Sequence, residues 1–215
     1  GPGFLVNRIL MPYLGEALTM LEEGSGIDEI DQALLRFGMP MGAFILLDEI
    51  GIDIAHKVSG ILQQGLGARL KPSQLLADLY KEGSLGKKNG RGFYLYAGGK
   101  RGRQNPLVSA MAGKGKGTHG PMPEQEIVER AMLLMIKEAA LCLEDKIIDR
   151  VDHLDAALIF GIGFPPFRGG LMRYAEKLGA KYIVARLEIY AEKYGERFAP
   201  PKFLFEMSRD DLIGQ

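Results

Sequence analysis

The side chains with the clearest chemical potential are an amide and a guanidinium close to the start of the sequence. Asn7 and Arg8 follow Pro2-Gly3-Phe4 and begin an otherwise apolar stretch. An Asn amide donates and accepts hydrogen bonds, which suits holding a carbonyl or hydroxyl oxygen together with a neighbouring catalytic group. Asn is also a common helix cap, and the residues alone favour capping. Asn7 is therefore a candidate site residue with two open interpretations.

A second polar group interrupts an apolar stretch farther along the chain. Asp48, Gly51 and Asp53 lie between Leu46 and Ile54. These residues could contribute to a binding site. The interpretation that we favour is that they cap helices at a break near Gly51 or contact a partner domain.

Several classes of site find no support in the sequence. No Gly-x-Gly-x-x-Gly follows a strand and opens a helix, so no dinucleotide site can be argued. The three histidines lie far apart without metal-ligand spacing. We therefore predict no cofactor-binding or metal-binding residue in this chain. Lys+Arg and Asp+Glu both number 27, which gives no electrostatic argument for nucleic acid.

The compartment is expected to be reducing, and we predict a cytoplasmic location. Cys142 is the only cysteine, so no intramolecular disulfide can form, as is usual in the cytosol. We expect Cys142 to be a small buried core residue. No apolar run approaches the roughly 18 residues that span a bilayer, so no transmembrane segment is predicted.

Amphipathic helices must position these side chains. Apolar residues recur at three- and four-residue steps between Leu10 and Leu21, the spacing of one helical face. Similar patterns predict helices over 28–35, 43–50 and 73–80, with Ser73 as an N-cap, and a continuation to residue 62 after a break at Gly51. The aromatic residues of 93–96 predict a short extended segment that closes this first module.

The second half of the sequence repeats the first at a nearly constant offset. The matched pairs include Arg8 with Arg130, Glu16 with Glu138, Leu21 with Leu143, Ile27 with Val151, Asp31 with Asp155, and Gly38 with Gly163. This repetition predicts an all-α fold of two tandem similar helical domains, packed about a pseudo-two-fold axis as a homodimer would be. We expect a first copy over 1–97, a Gly-, Lys- and Pro-rich flexible linker over 98–123, and a second, degenerate copy over 124–215.

Four motifs in this order resemble the C-terminal domain of 3-hydroxyacyl-CoA dehydrogenases. They are the residues 2–8, Pro40-Met41-Gly42, the run 46–53 with Asp48, Gly51 and Asp53, and the Gly- and Lys-rich segment 86–94. The second half, with Gly163-Phe164-Pro165-Pro166, is similar to the extra copy in multifunctional enzymes of fatty acid β-oxidation. The resemblance implies helical domains like the C-terminal domain of 6-phosphogluconate dehydrogenase.

The resemblance also implies an activity and roles for residues. Such enzymes oxidise the 3-hydroxyl group of an acyl-CoA and pass hydride to NAD, with a His–Glu pair as the base. An Asn at the position of Asn7 is catalytic and also binds substrate, while Pro40, Met41 and Gly42 would line the acyl pocket. The second copy stands in for the second subunit of dimeric dehydrogenases. Glu129 occupies the position of Asn7 there, so we expect that copy to be structural.

The nucleotide-binding part of such an enzyme precedes the Pro-Gly-Phe motif at which this sequence begins. We therefore expect the Rossmann domain, and a hydratase domain, to be partners outside this chain, together with the 3-hydroxyacyl-CoA substrate and a thiolase subunit. NAD would serve the parent enzyme, and the chain alone would bind no NAD and be inactive. Two alternatives stay open: a helical interaction or assembly module without a catalytic role, and a domain of another hydroxyacid dehydrogenase. The segment 86–94 and the duplication argue against the latter.

Overall fold

The computed structural model describes residues 2–112 and 122–210, and these form eleven α-helices and one two-stranded sheet. The all-α prediction is confirmed. In chain order the elements are α1 (Pro2–Glu22), α2 (Ile27–Phe37), α3 (Ala43–Ile50), α4 (Ile52–Leu66), α5 (Gln74–Lys81), β1 (Tyr94–Ala97), β2 (Lys100–Gln104), α6 (Pro106–Ala112), α7 (Glu124–Glu144), α8 (Val151–Ile162), α9 (Leu171–Leu178), α10 (Ala180–Tyr194) and α11 (Lys202–Asp210). No helix of the described ranges is both long and apolar enough to cross a membrane.

The helix boundaries follow local signals in the sequence. The predicted break lies between α3 and α4, where Gly51 adopts φ 98° and donates its N–H to Leu47 O at 2.9 Å. Ser73 caps α5, and its hydroxyl accepts the N–H of Leu76 at 3.1 Å. Each helix then buries its apolar face. Cys142 is fully buried, as predicted.

The predicted flexible linker over 98–123 begins too early. Within it, β2 pairs with β1 in an antiparallel hairpin, and α6 follows. Gly98 and Gly99 adopt φ values of 56° and 75°, as a tight hairpin turn requires at both central positions. Asn105 then fixes the chain, because its amide donates to Gly92 O at 2.8 Å and its side-chain oxygen accepts the N–H of Leu107 at 3.1 Å. Residues 113–121 of the predicted linker lie outside the described residues.

The duplication is visible in the lengths of the helices. Helices α1 to α4 contain 21, 11, 8 and 15 residues, and α7 to α10 contain 21, 12, 8 and 15. The turn after the first helix of each copy also repeats. Gly24 adopts φ 112° and Lys146 adopts φ 54°, the same left-handed region, although Lys146 carries a side chain. The first four helices of the two copies therefore agree in order and nearly in length, and the turn after the first helix repeats.

The compact units of the structure differ from the two copies in sequence. One unit comprises the chain up to Tyr13 and from Arg130 onward, and the other comprises Leu14–Glu129. Because α1 and α7 are 21 residues long, or about 30 Å at 1.5 Å per residue, each contributes residues to both units. The boundaries 1–97 and 124–215 stay a prediction about the duplication.

Candidate functional site

Asn7 lies within α1 and does not cap it. The helix begins at Pro2, whereas a cap precedes the first helical residue, so the capping interpretation is wrong. The side chain of Asn7 is exposed and makes no hydrogen bond to the described residues. Phe4, three residues earlier on the same helical face, is 50% exposed. Asn7 therefore presents an exposed amide, without a hydrogen bond to the part of the chain that the structure describes, on the same helical face as an exposed aromatic ring.

Arg8, the next residue, lies on a buried face of α1 and holds α1 in its unit. It is 4% exposed, and its Nε donates to Glu138 Oε1 at 2.6 Å while an Nη donates to Asp145 Oδ2 at 2.7 Å. Burial opposes the charge, but the bonds to Asp145 and Glu138 raise the pKa of Arg8 above its ordinary value. Consecutive helical residues are about 100° apart, so anchoring Arg8 inward fixes Asn7 outward.

The connector between α2 and α3 carries the other predicted site residues. Pro40 is exposed, Met41 is half-buried and Gly42 is buried. Pro40 and Met41 can therefore meet a ligand. Gly42 has a structural reason to be glycine, because a Cβ there would overlap the carboxylate of Asp31.

Asp31 is a buried helix cap that the sequence analysis missed. Its Oδ1 accepts the N–H of Phe44, in the first turn of α3, at 2.9 Å. Burial raises the pKa of Asp31 to about 6. The signal was available, since a carboxylate stands on the apolar face of α2 and recurs as Asp155 in the second copy. There, Asp155 Oδ1 accepts the N–H of Met172 at 2.8 Å.

Asp48 holds the aromatic end of the segment 86–96. Its carboxylate accepts the N–H groups of Phe93 and Tyr94 at 2.8 and 3.0 Å and the hydroxyl of Tyr96 at 2.9 Å. A Cβ at Gly92 would overlap this carboxylate, which explains the glycine before the aromatic pair. Burial raises the pKa of Asp48 to about 6.

The interpretation of Asp48, Gly51 and Asp53 as helix caps is therefore confirmed for Gly51 alone of the three. Gly51 caps the helix break, as described above. Asp48 and Asp53 instead bind the segment that follows α5, with Asp53 pairing with Lys88. The neighbouring Lys87 reaches Glu49 at 2.6 Å. These contacts fasten a 3₁₀ turn, Lys87–Asn89, onto α3 and α4.

The predicted site residues belong to different compact units. Asn7 is in the unit that contains α8 to α11, and Pro40, Met41 and Gly42 are in the unit of residues 14–129. The role of each predicted site residue is therefore inferred from its own exposure and contacts.

One known protein family matches the first copy. Residues 3–96 match the family described as the C-terminal domain of 3-hydroxyacyl-CoA dehydrogenase. The match begins and ends close to the predicted first copy, and it contains Asn7, the connector of Pro40 to Gly42 and the segment 86–96.

Two solved structures of dehydrogenases are similar in fold to this chain. The 3-hydroxybutyryl-CoA dehydrogenase of Escherichia coli K12 has a TM-score of 0.79 at 22% identity and covers 100% of this chain. The dehydrogenase part of multifunctional enzyme 1 from C. elegans has a TM-score of 0.73 at 20% identity and covers 96%. The chain spans 61% and 48% of those two proteins.

Proposed function

We propose that this chain is the substrate-pocket and dimerisation-like part of an NAD-dependent 3-hydroxyacyl-CoA dehydrogenase of fatty acid β-oxidation, within a multifunctional enzyme of the cytoplasm. The observation that carries the proposal is the exposed amide of Asn7, which makes no hydrogen bond to the described residues, in a region that matches the dehydrogenase family. An amide fixed in this way can meet a substrate oxygen without first breaking an internal bond.

Asn7 would hold the 3-oxygen of the acyl-CoA and orient the histidine that removes its proton. The oxygen of the Asn amide accepts from a donor while its NH₂ group donates to the substrate. Pro40 and Met41, exposed and half-buried on the α2–α3 connector, would line the acyl pocket. Gly42 would keep that connector close to α2.

The nicotinamide cofactor does not fit the described elements. A dinucleotide site uses a glycine loop between a parallel strand and a helix, whereas the sheet in the described residues is a two-stranded antiparallel hairpin. We therefore propose that a Rossmann domain outside these residues supplies the NAD site and the His–Glu base. Without it the chain would be inactive. A hydratase domain and a thiolase subunit are the further partners proposed for the complete enzyme.

The second copy would be structural. Glu129 stands at the position of Asn7 and is half-buried, and a carboxylate cannot donate a hydrogen bond to substrate when ionised. We propose that this copy replaces the second subunit of dimeric dehydrogenases.

The test is acetoacetyl-CoA-dependent oxidation of NADH by the intact enzyme that contains this chain, with Asn7 and with Asn7→Ala. Turnover is expected to fall by about tenfold or more. Stability should stay within about 0.7 kcal/mol and shift towards stabilisation, because Ala is a better helix former than Asn. Gln64→Ala, an exposed amide on α4, is the matched control and should leave turnover unchanged.

The same experiment separates the two functions. A fully active parent enzyme that is indifferent to Asn7→Ala would favour an interaction or assembly module without a catalytic role. A parent protein without dehydrogenase activity would refute the proposal.

A further inference from the structure

An open apolar groove lies on the second copy, between α8, α9 and α11. Its volume is about 730 Å³. Phe160 on its rim is 89% exposed and Val151 is 43% exposed. Phe203 and Met207 of α11 form the opposite wall. We call it the α8–α9 groove.

The first copy has the same helix pair, so the two grooves can be matched residue by residue. Asp31 and Asp155 are each the fifth residue of their helices, α2 and α8. Phe44 and Met172 are each the second residue of α3 and α9, and Asp48 and Glu176 are each the sixth. Asp155, Met172 and Glu176 all line the α8–α9 groove.

In the first copy these three positions hold an extended aromatic segment. The ring of Phe93 packs on Phe44 with centroids 4.8 Å apart. The hydroxyl of Tyr94 donates to Asp31 Oδ2 at 2.9 Å, and the backbone N–H groups of Phe93 and Tyr94 donate to Asp48. Phe93 is fully buried as a result.

In the second copy the same three positions line the groove, with Asp155 and Met172 each 5% exposed. Asp155 accepts backbone N–H groups of Met172 and Arg173 at 2.8 and 3.2 Å, with no tyrosine hydroxyl among its described partners. Glu176 accepts from Arg173 Nη1 at 2.7 Å instead of from an extended segment, and both side chains are 65% exposed. An exposed pair of this kind contributes little to stability, so Glu176 is available to another donor.

We propose that the α8–α9 groove binds an extended segment of a partner polypeptide that carries two adjacent aromatic residues, as Phe93 and Tyr94 do in the first copy. One ring would pack between Met172 and Phe160, and a tyrosine hydroxyl would donate to Asp155. Backbone N–H groups of the segment would donate to Glu176.

The occupant follows from internal homology. Strand β1, with Phe93 directly before it, shows that this helix pair accepts an extended chain whose N–H groups meet a carboxylate of the second helix. Peptide docking of this type combines backbone hydrogen bonds with pockets for individual side chains. The proposal does not depend on the catalytic role of Asn7.

The probe is a fluorescein-labelled peptide with the sequence of residues 86–97, titrated into the full chain and followed by fluorescence anisotropy. We expect saturable binding that Phe160→Ser weakens by about tenfold, as the loss of one buried aromatic contact would. Phe167→Ser is the matched control, because Phe167 is also an exposed phenylalanine, at 72%, but does not line the groove. A peptide with serine in place of both aromatic residues should not bind.

Three results would overturn the proposal. One is the absence of saturable binding, and another is equal binding to the Phe160→Ser and Phe167→Ser proteins, which would place the peptide elsewhere. The third is a concentration-dependent dimer in sedimentation that Phe160→Ser abolishes, since the occupant would then be a second copy of this chain. Circular dichroism of both variants verifies that they fold, as expected for exposed positions.

Discussion

Replacing Arg8 by Met removes the donor at the centre of a buried ion pair. Arg8 and Glu138 have side chains that are 5% and 2% exposed, and Nε and Oε1 lie 2.6 Å apart. Removing one partner of such a buried pair costs about 3–5 kcal/mol, because the remaining charge loses a bond that offsets its burial. The second contact, to Asp145, adds less because that carboxylate is 45% exposed.

The assay is urea unfolding followed by circular dichroism, together with thermal melting. A loss of about 3–5 kcal/mol corresponds to a fall in Tm of about 6–20 °C for a chain of this size. The control is Arg173→Met, which removes an arginine–glutamate pair of similar length, 2.7 Å, from the same unit, with both side chains 65% exposed. That variant should change stability by less than about 1 kcal/mol.

A double variant tests the reasoning further. Replacing both Arg8 and Glu138 by Met removes the two charges together, so it should be more stable than Arg8→Met alone. If Arg8→Met and Arg173→Met cost the same, the idea that burial makes the Arg8 pair important would be refuted.

Two further predictions compare the surroundings of Asp31 with those of exposed positions. Gly42→Ala should lower the free energy of unfolding by about 1–3 kcal/mol, because its Cβ overlaps Asp31. Gly60→Ala has open space around the added methyl and should stabilise α4 by up to about 1 kcal/mol. Equal urea midpoints for the two variants would contradict this prediction. Asp31 should titrate at about pH 6 because of burial, and Asp152 at about pH 2 because Arg150 donates to it, as ¹³C carboxyl NMR would measure. The pKa of Asp31 in the unfolded chain is near 3.8. The stability that protonation of Asp31 contributes is therefore fully present below pH 3.8 and is lost as the pH rises through 6. Titration of Asp31 near pH 4 would refute the effect of burial.

Features that depend on neighbouring residues could be predicted from the sequence. The break at Gly51 and the cap at Ser73 follow from the local preferences of glycine and serine. The hairpin of β1 and β2 was missed, although Gly98-Gly99 between extended residues is a turn signal. The basic and glycine-rich composition around it favoured a linker.

Features that depend on distant partners could not be predicted from the sequence. Asp48 meets Phe93 and Tyr94, 45 and 46 residues away, and no spacing rule connects them. The capping interpretation of Asn7 failed for a related reason. Nothing in the residue itself indicates that its helix begins at Pro2, or that the buried Arg8 turns Asn7 towards solvent.

The sequence by itself determined the helices, the internal duplication and the resemblance of the first copy to a dehydrogenase domain, because periodicity and repetition are properties of the chain order. Only the tertiary structure decided which polar residues anchor elements and which face outward. It also decided that Asp31 and Asp48 hold an aromatic segment while Asp155 and Glu176 line an open groove. Those outcomes depend on which surfaces come into contact. The free energy of burying a charge or an aromatic ring depends on the groups that the other surface provides.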